Sequence, residues 1–423
     1  MDLIEDISES KITSVVDHLF RSEYGKIVSF LTKKYGAEHL ELVEDAVQEA
    51  LYSAMKIWPF RGIPQNPSGW IFRVANNKSI DRLRKLSKTG DLGEALQTES
   101  LADEQLNPEE LDGAFKDDLL KMLFACCHPD LVIEHQIILS LKILCGFSVR
   151  EIANCLLKKE ATIAKSFTRA KQNFIQNKIH LEVPCESEIK SRLSTVLKVI
   201  YLLFNEGYKS SEGDHLCKED VCFEAVRLNH LLLENPATNT SEVNALAALM
   251  YFHLARFESR VGAEGELVTL ENQDRALWNK ELIREGLHYL NVSVEELHYS
   301  EYHIQAVIAS VHCRAASYSD TDWNEILILY DALLKVAPSP VTRLNRLVVV
   351  SKVYGPARAL EELQTIEKSG FFDNYYLFHA IKGQILKETE KIKEAKQAYQ
   401  MALQLTKNSR ELDFIRSKVA ALS

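Results

Sequence analysis

The chain has 423 residues, 46% of them hydrophobic and 26% charged, a balance that excludes a disordered or fibrous protein. Only 16 glycines and 10 prolines interrupt it, which favours helices over any loop-rich or collagen-like architecture. The formal net charge of −10 is a poor global signature for a nucleic-acid binder, so partners must be argued from local patches.

From about Lys11 to Lys88 apolar residues recur at helical spacing: Val15 and Leu19, then Ile27–Leu31, then Val43, Val47, Leu51 and Met55. Trp58-Pro59 is expected to end that last helix, and the loop Gly62–Pro67 carries three breaking signals. Ser68 is placed to cap the next helix, whose apolar face is Trp70, Ile71, Val74, Ala75, Ile80 and Leu83. Residues 89–118 hold 10 acidic side chains against one lysine and few apolar groups, the composition of a flexible tether. A second helical block follows from about Asp117 to Lys178. In it a short helix after Gly146-Phe147-Ser148, a break at Lys158-Lys159 and a longer basic helix from about Ala161 make a helix-turn-helix layout. Beyond Leu181–Glu188, with its Pro184, helices continue to the end. Gly383, Ala395, Tyr399 and Ala402 match the small and aromatic packing positions of a tetratricopeptide unit, and Ala359, Leu363 and Ile366 echo the last three. The segment Trp323–Pro340 reads as the second helix of an earlier pair. Stacked pairs of this kind build a continuous core and a concave binding surface.

Several function classes recede. No apolar run approaches the roughly 18–20 residues that span a bilayer, and the acidic start has no secretory pattern. A cytoplasmic protein with no membrane partner is expected. The 8 cysteines are too few for a disulfide scaffold. Cys126-Cys127-His128, with His135 nearby, lacks the ligand gap of a metal site and reads as buried thiols, so no metal or cofactor is expected. Glu206, Asp214 and His215, and separately His253, Arg256, Glu258, Arg260, Asp274 and Arg275, form no recognised nucleophile–base spacing. Both sets read as buried ion pairs that fix helix interfaces, and no enzyme is expected.

Three motifs occur in a telling order. Asp45-Ala46-Val47-Gln48-Glu49-Ala50-Leu51 followed by Trp58 resembles the polymerase-contacting helix of a bacterial sigma factor, and Trp70–Arg84 its promoter-melting helix. Gly146-Phe147-Ser148, Glu151-Ile152-Ala153 and Ala161–Lys171 resemble the helix-turn-helix of its second module. Together they resemble the extracytoplasmic-function (ECF) group of the sigma-70 family over roughly residues 10–180. Cys126–Pro129, Leu203–Tyr208 and Gln273-Asp274-Arg275 with Trp278 resemble the long ECF subgroup, which carries a helical, tetratricopeptide-like extension. The resemblance implies an all-α chain: a region 2-like domain over 10–88, an acidic linker over 89–116, a region 4-like domain over 117–180 and the extension over 189–423.

It also implies partners: core RNA polymerase, promoter DNA both as duplex and as melted strand, and a regulatory protein or ligand at the extension. Asp45, Gln48 and Glu49 offer acceptors and an amide to a polar polymerase surface, with Trp58 as an apolar anchor. For the melted strand the candidates are Arg73, Asn76, Asn77, Lys78, Arg82, Arg84 and Lys85, since phosphate neutralisation dominates such affinity. For duplex DNA, Thr162 and Lys165 are placed for the groove, and Arg150, Lys158, Lys159, Arg169 and Lys171 for phosphates and the helix's basic face. A one-component DNA-binding regulator with a ligand-sensing helical array is the alternative, but it would leave the first two motifs without a purpose.

Overall fold

The scarcity of glycine and proline has its expected result. In the computed structural model, which describes residues 2–86, 108–210, 216–294, 299–368 and 370–422, the chain is all-α, with an isolated bridge between Val261 and Leu267. The helices of the first half are α1 (Asp2–Tyr35), α2 (Leu40–Arg61), α3 (Pro67–Leu86), α4 (Pro108–Cys126), α5 (Ile133–Ile143), α6 (Val149–Cys155), α7 (Glu160–Gln176), α8 (Glu186–Tyr208) and α9 (Glu219–Glu234). There follow α10 (Ser241–Leu254), α11 (Phe257–Arg260), α12 (Lys280–Ser293), α13 (Glu301–Arg314), α14 (Trp323–Val336), α15 (Pro340–Tyr354), α16 (Pro356–Glu367), α17 (Tyr376–Glu388), α18 (Ile392–Leu405) and α19 (Ser409–Ala420). No helix among the described residues is long and apolar enough to cross a membrane.

The chain divides into two units, residues 1–203 with 223–231, and residues 204–222 with 232–423. The division falls inside α8 and α9, beyond residue 189 where the extension was expected to begin.

In the first unit α2 buries Val43, Ala46, Val47, Ala50, Leu51, Ala54 and Trp58 along one stripe. Pro59 does not end this helix: it sits in the last turn, and the chain leaves only at Gly62, whose φ of 80° few other residues adopt. Asn66, not Ser68, caps α3. Its side-chain oxygen accepts from the Gly69 N–H at 2.8 Å, and Pro67 takes the first helical position, where its missing N–H is harmless. Of the expected acidic linker, residues 87–107 lie outside the described residues, and from Pro108 the chain is already α4. Phe115 of α4 meets Phe30 and Phe72 edge-on at 5.2 and 5.4 Å, so this helix joins the core of the first module.

The two N-terminal modules pack together instead of standing apart on a tether. A Cβ at Gly25 of α1 would lie 2.2 Å from the Leu144 carbonyl oxygen, so only glycine allows this approach. Lys33 donates to Asp118 at 2.5 Å, and Lys171 of α7 reaches Glu41 and Glu44 of α2 at 3.1 and 3.4 Å.

The second unit stacks antiparallel helix pairs. Ala395, Tyr399 and Ala402 of α18 are buried against α17, where Gly383 lies under the Tyr399 ring. Ala359 and Leu363 of α16 are buried in the preceding layer, and Trp323 belongs to α14, which packs between α13 and α15.

Candidate polymerase and nucleic-acid interface

The region 2-like site is built by the α2–α3 pair. Asp45 and Glu49 lie one turn apart on α2, and Lys78 and Arg82 one turn apart on α3, so the two pairs meet. Glu49 accepts from Lys78 at 3.0 Å and from Arg82 at 2.6 Å, while Arg82 also reaches the Leu42 carbonyl at 3.2 Å and Asp45 at 3.6 Å. The Lys78 hydrogen bond, with the Arg82 charge behind it, holds the Glu49 carboxyl below its usual range. Lys78 and Arg82, expected on the melted strand, are thus engaged by Glu49, expected on polymerase. Beside this network a shallow cleft of about 480 Å³ is lined by Glu41, Asp45, Arg82 and Lys85 among others.

Two further expectations need correcting. Trp58 is 1% exposed and packs edge-on against Trp70 at 5.5 Å, so it anchors the α2–α3 core and presents nothing to a partner. Asn76 is buried and accepts from the Tyr35 hydroxyl at 2.5 Å, which ties α3 to α1. Arg73, Asn77 and Lys85 are exposed on α3, and Arg84 is half-buried beside Asp81 at 3.8 Å.

What lies beyond Glu49 was not among the expected site residues. The outer face of α2 turns apolar there: Tyr52 is 58% exposed, Met55 42% and Phe60 90%. With Asp45 and Gln48 they form a stripe, polar at one end and greasy at the other, that α3 leaves uncovered. Met55 was expected to continue the stripe of Val43, Val47 and Leu51, but the buried face turns instead through Ala54 and Trp58 and leaves Met55 outside; Phe60 falls out of that register too.

In the second module the helix-turn-helix is cut locally. Ser148 and Glu151 form a reciprocal capping box at the start of α6, at 3.1 and 2.9 Å. The turn closes through Leu157, whose φ of 53° lies in the left-handed region, and α7 begins at Glu160. Ile163 and Phe174 are buried, and Phe167 is half-buried with the Lys171 ammonium 5.4 Å above its ring. On the opposite face Thr162, Lys165 and Arg169 share one exposed stripe, with Lys159 exposed at its start. Lys158 is exposed but bonded to Glu134 at 2.6 Å, and Arg150 stands 3.9 Å from Glu160. Lys171 faces inward. Burial pulls its ammonium down, but Glu44 and Glu41 more than offset that and hold it above the ordinary lysine value.

Cys126 and Cys127 lie in the core, where burial pushes the Cys127 thiol up to about 12, leaving it inert. Asp214 and His215 lie outside the described residues. One pair in the extension has the spacing of a nucleophile and its base: Ser241 Oγ stands 2.8 Å from His303 Nε2. The Ser300 N–H donates to His303 Nδ1 at 3.0 Å, so the ring proton sits on Nε2, which cannot then act as a base. The Ser241 hydroxyl donates to the Ser293 carbonyl, and the trio fastens α10, α12 and α13.

Comparison with known proteins agrees with this geometry. Residues 19–89 match sigma-70 region 2, residues 192–294 a family of unknown function (DUF6596), and residues 338–423 a tetratricopeptide repeat-like domain. An uncharacterized protein of Rhizobium meliloti (strain 1021) is 38% identical over 388 residues, spanning 91% of either chain. No solved structure matches the chain. The chain belongs to the sigma-70 family, as a member with a helical, tetratricopeptide-like extension.

Proposed function

We propose that this chain is an ECF-type sigma factor that binds core RNA polymerase and directs it to specific promoters, with the extension regulating that activity. The observation that carries the reading is the α2–α3 pair within the region 2 match. It exposes a continuous polar-to-apolar stripe on α2 while leaving Arg73, Asn77 and Lys85 open on α3. The stripe suits a helical polymerase surface with both a polar and an apolar part. The open residues of α3 suit a melted strand, which needs phosphate neutralisation and hydrogen-bonding groups. Thr162, Lys165 and Arg169 on α7 supply the duplex-reading face, with side chains that reach base edges and phosphates. The polymerase performs the chemistry; this chain contributes recognition and strand separation.

The test is pull-down of core polymerase together with run-off transcription over a genomic promoter pool. The full chain is expected to co-purify with core enzyme and to yield a defined set of transcripts. Phe60→Asp with Tyr52→Asp should abolish co-purification. Lys165→Glu with Arg169→Glu should leave co-purification intact and lose the transcripts. A full chain that neither binds core enzyme nor changes start-site choice would overturn the reading.

A further inference from the structure

Most of what the extension buries is accounted for by helix packing, but one place is not. The segment after α10 and the turn before α12 bring three guanidinium groups onto two aromatic faces. Arg260 lies 3.6 Å from the centroid of the Tyr208 ring, while Arg256 and Arg275 lie 5.1 and 4.8 Å from that of Trp278. Two histidines lie beside them: the His253 ring is 4.7 Å from the Tyr208 ring, and His312, whose backbone carbonyl accepts from Arg275 at 2.5 Å, sets its ring edge-on to Trp323 at 5.5 Å.

From the sequence, these charges were expected to be spent in buried ion pairs. Instead, the hydrogen bonds of the three arginines to described residues all go to neutral oxygens. Gln273 Oε1 accepts from Arg256 Nε and Nη2 at 3.2 Å, the Tyr208 carbonyl accepts from Arg260 at 2.5 Å, and Arg275 is shared by His312, Ala315 and Thr321. Around the same groups, Nδ1 of His253, Nδ1 of His312, Nε of Arg275 and Nε1 of Trp278 are buried with no hydrogen-bond partner. Trp278 is 4% exposed and Arg260 8%. Arg256, Arg275 and both histidines are half-buried beside them, and three cations with idle buried nitrogens so close together are costly unless an anion completes them.

We propose that this cluster is a binding site for a small oxyanion-bearing molecule, one that carries a phosphate or a carboxylate group. The forked guanidinium edge matches two such oxygens at once. The aromatic planes lie against the guanidinium groups, and side chains gathered this closely suit one small molecule. Burial first, and then Arg256 with Arg260 or Arg275, pushes both imidazoles down to about 3, so at neutral pH they hydrogen-bond without adding charge. The inference deepens the regulatory part of the proposed function by giving the extension a ligand class.

Its test needs no polymerase, so its failure and that of the sigma-factor reading are separable. The full chain is titrated at low ionic strength with inorganic phosphate, pyrophosphate and succinate, against chloride at matched ionic strength, and followed by calorimetry and thermal melting. At least one probe should saturate a single site and raise the melting temperature. A preference for phosphate or pyrophosphate assigns a phosphoryl ligand, and a preference for succinate a carboxylate. Arg256→Gln and Arg260→Gln should each weaken binding by about tenfold or more, as loss of a charged hydrogen bond does. In the unaltered chain, a saturating probe should raise the pKa of His253 and His312, read from their ring proton resonances, which keeps the test decisive if either variant fails to fold. No response beyond chloride, or binding equally tight in both variants with no histidine shift, would overturn the proposal.

Discussion

Lys171 holds two carboxylates of another helix, one on the surface and one in the core. Glu44 is 5% exposed, and burial raises its carboxyl pKa despite the opposing Lys171 charge; the Tyr24 hydroxyl lies 3.4 Å from it. Removing the ammonium leaves that carboxylate buried and without its nearest cation, which typically costs about 3–5 kcal/mol. Lys165 sits six residues earlier on the same helix, exposed on the opposite face. Lys171→Met should therefore lower the denaturation midpoint of the N-terminal unit clearly, whereas Lys165→Met should leave it within about 0.5 kcal/mol of the unaltered chain. Equal effects from the two would show that the Lys171–Glu44 contact carries no stability. The contact also holds α7 by the side opposite Thr162, Lys165 and Arg169, so packing of the modules leaves the proposed duplex-reading face exposed.

At the scale of elements, α17 and α18 approach so closely that the Tyr399 ring occupies the space of a Gly383 side chain. A Cβ there would lie 2.9 Å from two ring carbons. Alanine favours a helix interior over glycine by roughly 0.8–1 kcal/mol, but forcing a methyl into a filled core costs roughly 1–3 kcal/mol. Gly383→Ala should therefore destabilise the extension, as measured by chemical denaturation; a stabilised protein would mean that the helices part without penalty. This pairing was legible in the sequence because small and aromatic residues at fixed separations encode a helix–helix contact. The α2–α3 network was not. Spacing along α2 put Asp45 and Glu49 on one face, and spacing along α3 put Lys78 and Arg82 on one face. Neither spacing says which face the neighbouring helix opposes. Charges meant for two partners were therefore read as free when they bind each other. Trp58 was legible after all: it continues the stripe of Ala50, Leu51 and Ala54, and an aromatic in that register belongs to the core.

For the whole molecule, the two histidines beside the arginine cluster set a pH dependence. His253 and His312 are held at about 3, below the ordinary 6.5, first by burial and then by the neighbouring arginines. Below 6.5 the unfolded chain takes up protons that the folded chain refuses until about 3, so stability is lost as pH falls through that window. At pH 5 the loss is about 2 kcal/mol for each histidine. Denaturation of the full chain at pH 7 and pH 5 should show this drop before most carboxylates titrate, and His253→Gln with His312→Gln should flatten it. The all-α class, with region 2 near the start and tetratricopeptide-like helices at the end, was readable from residue patterns, since helical stripes and motif spacing are local. That the modules share one packed unit was not, because it depends on Gly25 meeting a carbonyl more than a hundred residues away.

The boundary inside α8 bears on how the extension can be dissected. Ile189, Val196, Val199 and Ile200 are buried in the first unit, and Arg192 donates to the Phe124 carbonyl at 3.5 Å. A polypeptide halted at residue 180 would strip this lining and uncover greasy surface around Phe124 and Cys127. Its silence in transcription would then record injury to the N-terminal half, whatever the missing half does. Loss-of-regulation experiments belong instead to point changes deep in the second unit, where the first unit's lining stays whole.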